Sequence, residues 1–386
     1  MSFSGFPRED GSVGVRNHIG IISVVVCAND VTLKIAQQVE GAVAFLHDQG
    51  CTQTLVDLDQ VTRTLVNLGK NPNLAGVLLV SLGCESVLIE EIREKIAASG
   101  KPVKTLGIQQ IGGMLPAIAE GCRITQEMVI QASTIRRESF DDFHLSIGVK
   151  CGASDTTSGL ISNPAAGAAF DLLCDHGGTC VFGETTEFLG AEHILMRRAA
   201  TPEVKKKIEE IVTRMEQRAK MMGVDIRGGQ PTTGNIKGGL TTIEEKSLGA
   251  IVKGGTKPIQ GVYEYGDKVT KKGLYIVDSP GREPEFLTGI AAAGVQIIIF
   301  STGIGAPQGF PFVPVLKITG NPKTERFLSD HIDKFIKLSE EGENTIAQAG
   351  EEIYEEIKAI ASGKKTKAEV LGYGQFSNIF TIGPVI

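Results

Sequence analysis

Several short stretches of this 386-residue chain bring thiols, carboxylates and amines together at spacings that could do chemistry. "HDQGC" sets His47 and Cys51 four residues apart, a separation that puts two side chains on one face of a helical turn. Imidazole with thiolate suits iron or zinc. "SLGCES" adds Cys84 and Glu85, and "VKCGASD" adds Lys150, Cys151, Ser154 and Asp155. Any one of these cysteines also reads as a small core residue, but Cys51, Cys84 and Cys151 all stand beside glycine, where elements end. "GETTE" supplies Glu184 and Glu187, and "GAEH" supplies Glu192 and His193. Paired carboxylates can ligate a metal or serve as acid and base. Glu184 is the stronger candidate because it follows an apolar run and a glycine, whereas Glu192 reads more readily as the start of a solvated helix. "PTTGNIKGG" contributes Asn235 and Lys237, and "TTIEEKS" contributes Glu244, Glu245 and Lys246. The second piece also fits an ordinary helix start, with Thr241 or Thr242 as cap and a glutamate in the first turn. That reading leaves its long glycine-rich approach without a purpose. In "STGIGAPQG", Thr302 and Gly303 open a run whose glycines could turn backbone N–H groups toward a carboxylate or phosphate, or simply form a strand-to-loop turn. The run is neither a Walker A sequence nor GxGxxG, which argues against a nucleotide.

The elements that must hold these groups alternate. Ile19 to Val26 is apolar and β-branched, as in a buried parallel strand, and the following "VTLKIAQQVEGAVAFL" has helical spacing. The same succession returns in "LAGVLLVSLGCES" with "VLIEEIREKIAASGK", and then in "PVKTLGIQQIGG". This predicts an α/β chain with an open, mostly parallel sheet in a Rossmann-like domain over 1–140. In such sheets ligands bind at the carboxyl ends of strands, where Cys27, Cys84 and residues 109–113 fall. From "LSIGVKCGASD" onward a second α/β domain, the catalytic one, is expected over 141–386. It holds a strand in "GTCVFGETTEFLG", an amphipathic helix over 202–222, strands in "GLYIVDSPG" and "VQIIIFSTGIGAPQG", and a charged helical tail over 340–364. Residues 228–255 are polar and glycine-rich, too long for a turn and read as a loop that is either functional or disordered.

Bulk properties remove other classes of function. A net charge of -6 with 22% charged and 41% hydrophobic residues describes a soluble globular protein, with no basic excess for nucleic acid or an anionic membrane. The apolar runs are too short to span a bilayer. The opening "MSFSGFPREDG" has no signal-peptide pattern, which makes the cytoplasm the expected location. Seven widely spaced cysteines in a chain of this size are expected to be reduced thiols.

Taken in order, "FPREDGSVGVRN", "HDQGC", "LGCE", "KCGASDTTSGLISNP", "GETTEFLGAEH", "TGNIKGGLTTIEEKSLG" and "STGIGAPQG" resemble the large catalytic region of the altronate/galactarate dehydratase family over nearly the whole chain. The resemblance implies elimination of water from a 2,3-dihydroxy sugar acid to give a 2-oxo-3-deoxy acid, with a divalent metal that is typically iron, Fe2+, with Mn2+ as the other candidate. It implies Lys150, Glu184, Lys237 and Lys246 as acid, base or carboxylate clamp. Arg16, Asn17, Ser154, Asp155, Asn235, Thr302 and Gly303 are expected to hold substrate, and His47, Cys51, Cys84 and Cys151 the metal, with Glu85 behind them. The sequence departs from the family's usual wording in "CGASDTTSG" and in "STGIGAPQG", where Ile304 stands at a position commonly held by arginine. "SDTT" and "GNI" are similar to the large subunit of sulfolactate sulfo-lyase, which eliminates sulfite instead of water. The chain starts directly at the "REDG" segment, so a small SAF-type domain is expected as a separate subunit, with the chain part of an oligomer. A non-catalytic sugar-acid-binding subunit is the reading from another class.

Overall fold

A computed structural model describes residues 2–228, 231–338 and 345–384. The first sheet has strands β1 (His18–Ser23), β2 (Ala42–Phe45), β3 (Leu74–Ser81) and β4 (Val103–Gly107), all parallel and ordered β2-β1-β3-β4. The second has β5 (Ser146–Gly152), β6 (Thr179–Phe182), β7 (Ile259–Tyr263), β8 (Gly273–Val277), β9 (Ile297–Thr302), β10 (Val315–Thr319) and β11 (Lys334–Phe335). These are also parallel, in the order β7-β8-β6-β5-β9-β10-β11. The chain is therefore α/β with two open parallel sheets, as the strand–helix alternation predicts. A small antiparallel ribbon joins the two parts: Ser2–Pro7 pairs with Val13–Gly14 on one edge and with Glu138–Asp141 on the other.

The strands read as continuous apolar runs because helices cover both faces. One core joins the first sheet to α10 (Glu283–Ala292), counted after the nine longer and shorter helices α1 (Asn29–Gln38), α2 (Leu55–Gly69), α3 (Ile89–Ala97), α4 (Met114–Ala132), α5 (Asn163–Asp175), α6 (Glu192–Arg197), α7 (Pro202–Met221), α8 (Thr233–Lys237) and α9 (Ile243–Ile251), and to the inner face of the second sheet through Ile298, Phe300 and Phe312. A second core lies on that sheet's other face. The C-terminal stretch returns to the first sheet, where Ile379 is buried and the Ile382 and Gly383 N–H groups donate to Asp57.

Two expectations about local structure change. The helical spacing over 31–46 is broken after Gln38: Gly41 adopts φ +88° and Ala42–Phe45 becomes the edge strand β2. A four-residue apolar run after a left-handed glycine has a free strand edge to pair with, and pairing wins over helical propensity. The segment read as a loop over 228–255 instead carries α8 and α9, each capped by a threonine, with residues 229 and 230 outside the described set. The tail helix runs over Ile346–Ala361, and 340–344 also lie outside the described residues. Among the described residues no helix is long and apolar enough to cross a membrane.

Candidate active site

In the second sheet the chain leaves β5 toward one edge and later returns to β5's other side with β9. Ligands bind in the crevice that such a reversal opens at the carboxyl ends of strands. Here the loops after β5 and β9 meet: the N–H groups of Gly303 and Ile304 donate to the Ala153 carbonyl at 3.2 and 2.9 Å. A side chain at Gly303 would put its Cβ 2.1 Å from Asp155 Oδ1, so glycine is required for this approach. The Gly305 N–H donates to Thr302 Oγ1 at 3.0 Å. The run read as an anion cradle thus gives its N–H groups to the neighbouring loop and to its own threonine.

The charged heart of this region is fully buried. Lys150, at the end of β5, donates to Glu184 and to the carbonyls of Cys151 and Gly281, each at 3.0 Å, with Glu283 3.8 Å away. Lys253 donates to Glu184 Oε2 at 2.5 Å and to Glu187 Oε2 at 2.6 Å. The Cys151 N–H adds a bond to Glu184 Oε2 at 3.0 Å. Glu184 stands just beyond β6 at φ +67°, a left-handed conformation unusual outside glycine. Its own N–H donates to Ser279 Oγ at 3.1 Å, which fixes that turn. Strained residues of this kind persist where surrounding structure holds them, and they concentrate at functional sites.

The two carboxylates differ in proton affinity. Burial and the Glu187 charge raise the pKa of Glu184, and the two lysines with the Cys151 N–H only partly oppose them. Burial pushes Glu187 the same way, but Lys253, Lys246 and Lys150 outweigh it and hold Glu187 below its ordinary value. Burial would neutralise Lys150 and Lys253, yet the facing glutamates reverse this and raise both. Two carboxyl groups driven apart in this way take different roles, one exchanging a proton and the other staying ionised.

Cys151 connects the cluster to a cavity of about 570 Å³ whose wall includes Ser154, Asp155, Asn163, Thr242 and Lys246. Its thiol lies 2.9 Å from Ser154 Oγ and accepts from Asn163 Nδ2 at 3.4 Å. Burial pushes that thiol up to about 11, so it is no ready nucleophile. Asp155 ties the wall together, accepting from the Ser158 N–H at 2.9 Å and from Asn321 Nδ2 at 2.7 Å. Asn235 donates to the Ser154 carbonyl at 3.0 Å from α8. Thr242 caps α9 by accepting from the Glu245 N–H at 3.2 Å, so the bland helix-start reading is correct for the cap while Lys246, one turn on, faces the cavity.

The structure therefore gathers Lys150, Glu184, Lys246, Cys151, Ser154, Asp155, Asn235, Thr302 and Gly303 into one region. Other expected residues are placed differently. Lys237 is exposed at the end of α8 and is not in the cavity wall. Arg16 is buried with its guanidinium on Glu369, at 2.6 and 2.9 Å, and on the carbonyls of Val15, Ile360 and Lys364, so it fastens the C-terminal part of the chain. Asn17 accepts from Arg8 and donates to the Ala132 carbonyl, each at 2.8 Å. Glu192 pairs with Arg227 at 3.2 Å at a helix start, and His193 is exposed.

The expected metal ligands do not form a set. His47 Nε2 donates to the Ser23 carbonyl at 2.8 Å, and Nδ1 accepts the Gln49 N–H at 3.1 Å. That tautomer leaves no lone pair for a metal, and burial lowers the ring pKa to about 4. Cys151 belongs to the other sheet. Among the described residues no three His, Cys, Asp or Glu side chains gather around a point that would hold a single ion.

Sequence reasoning missed Lys253, Asn163 and Asn321. The signal for Lys253 was a lone cation in the otherwise apolar and glycine-rich "LGAIVKGG", since a lysine there is buried only with partners.

Residues 143–384 match the family described as D-galactarate/Altronate dehydratase, C-terminal, and residues 5–133 match D-galactarate dehydratase/Altronate hydrolase, second domain. The chain belongs to the galactarate/altronate dehydratase family. Within it, the chain is 39% identical to the (2R)-sulfolactate sulfo-lyase subunit beta of Chromohalobacter salexigens, over 97% of this chain and 96% of that one. It is 35% identical to an altronate dehydratase of Bacillus subtilis, over 83% of this chain and 66% of that one. It is 32% identical to the galactarate dehydratase (L-threo-forming) of Escherichia coli, over 100% of this chain and 77% of that one. Every one of these family members is a lyase by name, and this chain is a lyase too.

Proposed function

We propose that the chain is the catalytic subunit of a lyase that removes a leaving group from the carbon next to an acidic C–H, with water leaving an altronate-like aldonate or an aldarate. The observation that carries this reading is the buried Lys150–Glu184–Lys253–Glu187 cluster at the carboxyl ends of β5 and β6. A hydrogen beside a carboxylate is a weak acid, so its removal needs a base together with fixed positive charge where the enolate develops. Glu184, with its raised proton affinity, is the proton-transfer group. Lys150 and Lys253 are the cations, and Glu187 keeps Lys253 in place. Lys246 lines the cavity and also acts on the Glu187 charge, which suits it to receive the substrate carboxylate at the border between cavity and cluster. We propose iron as the divalent metal that the family resemblance implies; among the described residues no three His, Cys, Asp or Glu side chains gather to hold it.

Carbon–sulfur elimination is the second reading, because the relative matched over almost its full length is a sulfo-lyase subunit. Sulfite and hydroxide both leave from the position β to a carboxylate, so the same cluster serves either. That relative is named a subunit, and we propose that this chain also works with a small second polypeptide. The deciding experiment assays the chain with iron, with and without a candidate small SAF-type subunit, on altronate, galactarate and sulfolactate. Release of 2-oxo acid without sulfite supports the dehydratase, and release of sulfite the alternative. Turnover of none of them, or full turnover retained in Glu184→Gln, would overturn the assignment. Full activity without a second polypeptide would remove the two-subunit proposal.

A further inference from the structure

A smaller cavity, of about 170 Å³, lies at the amino edge of the first sheet. It opens beneath the starts of β1, β3 and β4, between the end of α4 and the hairpin turn of the antiparallel ribbon, residues 8–12. The reaction proposed above sits at the carboxyl ends of strands and uses nothing here. The floor is apolar, made by the buried side chains of Ile19, Ala75, Met128 and Ala132. Gly76 keeps that floor open, since a Cβ there would stand 2.8 Å from Met128 Cε and 3.3 Å from Ile19 Cδ1.

The walls are charged, and unevenly. Three cations line the cavity, Arg8, Lys70 and Lys101. Lys101 is buried, and its ammonium donates to the Asn71 carbonyl at 2.6 Å. Arg8 Nε donates to the next carbonyl, that of Pro72, at 2.7 Å. Consecutive residues have Cα atoms about 3.8 Å apart, so these two bonds bring both cationic heads to one end of the cavity. The two charges also act on each other. Burial, with the Arg8 charge behind it, holds Lys101 well below the usual lysine range, and Asp10 opposes them without reversing the shift.

The acids of the cavity do not neutralise this pair. Glu9 and Asp10 belong to its exposed rim. Asp10 accepts from the Ser12 N–H at 3.1 Å and from the Ser12 hydroxyl at 2.5 Å, with Lys268 3.6 Å away. Glu9 lies over Gly100, where a Cβ would come 2.3 Å from Glu9 Oε2. Among the described residues no carboxylate stands within ion-pair reach of Arg8 or Lys101. Arg8's other acceptors, Asn17 Oδ1 and the Arg16 carbonyl, are neutral too. Lysine has three N–H donors and arginine five, of which these bonds use one and three. A buried charge without a counter-charge is costly, and buried cations are therefore normally paired. Two of them at one end of one cavity mark a place for an anion.

Size and floor select its kind. A water takes about 30 Å³ of the liquid, so the cavity holds about six non-hydrogen atoms. Sulfate or phosphate would satisfy the cations but turn its oxygens toward Ile19 and Met128. A short fatty acid satisfies both ends. We infer that this cavity binds a short-chain monocarboxylate, with the carboxylate on Arg8 and Lys101 and the chain on Ile19, Ala75 and Met128. The turn that anchors the cations also joins the two sheets, because Asn71 Nδ2 donates to the Ala291 and Val295 carbonyls at 2.9 Å each. A ligand that neutralises those cations therefore stabilises this junction.

The test measures binding, not turnover, so it stands apart from the lyase reading. The full chain is titrated calorimetrically with sodium butyrate, and in parallel with butyramide and sodium sulfate at constant ionic strength. Butyrate should bind at one site at least about tenfold tighter than either, the scale of hydrogen bonds to charged groups. It should also raise the melting temperature of the wild-type chain. Lys101→Met removes one cation and keeps the stem, and should abolish both effects. Ala132→Leu keeps both cations and fills the cavity, and should abolish them as well, with circular dichroism showing each variant folded. Lys246→Met, altered in the other cavity, should retain butyrate binding, which separates this site from the active site. Sulfate binding as tightly as butyrate, butyrate binding unchanged in Lys101→Met, binding lost only in Lys246→Met, or no butyrate bound by the wild-type chain would each overturn the inference.

Discussion

Replacing Lys253 with methionine tests the charge balance of the buried cluster, because it removes one cation and leaves everything else in place. Its ammonium bonds Glu184 at 2.5 Å and Glu187 at 2.6 Å, with no solvent exposure. A unit charge pair at such a distance is worth about 6 kcal/mol at an effective dielectric of about 20. Losing the lysine also relieves the cost of burying it, so the net loss is smaller, and breaking a buried pair from one side costs about 3–5 kcal/mol. The pH dependence identifies the source. Lys253 has a raised pKa, so its contribution is complete below the unfolded lysine value and is lost only as pH rises beyond it, which leaves it flat from pH 5 to 8. Without Lys253, Glu184 and Glu187 face each other with Lys150 and, for Glu187, Lys246 as the remaining cations, and their pKa values rise. A carboxyl group with a raised folded pKa costs stability above its unfolded value, and the cost is relieved as pH falls through the folded value. The deficit of Lys253→Met should therefore be greatest at pH 7–8 and shrink toward pH 5. The chain has no tryptophan, so guanidinium unfolding is followed by far-ultraviolet circular dichroism. Adding Glu187→Gln should recover part of the loss at pH 8. A deficit below about 1 kcal/mol, the scale of a surface ion pair, or one equal at pH 5 and pH 8, would refute the reasoning.

Lys246→Met should raise KM for the acidic substrate by tenfold or more, about 1.4 kcal/mol of binding, while Lys237→Met, altering an exposed side chain away from the cavity wall, should change steady-state kinetics less than twofold. Cys151, buried and raised to about 11, should resist iodoacetamide at pH 8 in the folded chain under conditions that modify Cys84, as peptide mass spectrometry can show. Arg16→Met should lower thermal stability by about 2–4 kcal/mol, from the loss of a buried charged partner, with kcat of the surviving folded enzyme unchanged. Glu369 is held below its usual pKa with burial opposing and Arg16 dominating, so the wild-type advantage over Arg16→Met is full above the ordinary carboxylate range and should fade as pH drops below it, measured by melting from pH 7 to pH 4.

Much of the fold was legible because parallel strands buried on both faces leave unmistakable apolar runs, and Ser146–Gly152 and Ile297–Thr302 are such runs. Ala42–Phe45 was not, since four apolar residues after a helix fit either period and only the neighbouring strand decides. The same division holds for the site. Glu184 stood out as a carboxylate directly after a strand and glycine. Lys253 did not, because its partners lie 66 and 69 residues away and nothing local marks it. Arg16 looked like a substrate ligand because it is a cation in a distinctive string, but apart from the Val15 carbonyl its acceptors come from residues more than 340 positions further along. Charges of this kind acquire a meaning only when the chain closes.

The carboxyl edges of the two sheets are joined by the chain's own C-terminal stretch. Ser377 Oγ donates to the Leu46 carbonyl at 2.8 Å and the Asp48 N–H donates to Asn378 Oδ1 at 3.2 Å, both next to the Cys51 loop. Asn378 Nδ2 then reaches Glu285 at 3.4 Å, in the first turn of the helix that begins just after Gly281, whose carbonyl binds Lys150. From the other side, Phe45 at the end of β2 lies against Phe310 and Phe312, from the loop that follows Gly303 and Gly305. A shift of the first sheet against the second would have to break these bonds and repack these rings, and packed interiors resist such sliding. The carboxyl edges of the two sheets are thus held in fixed relation.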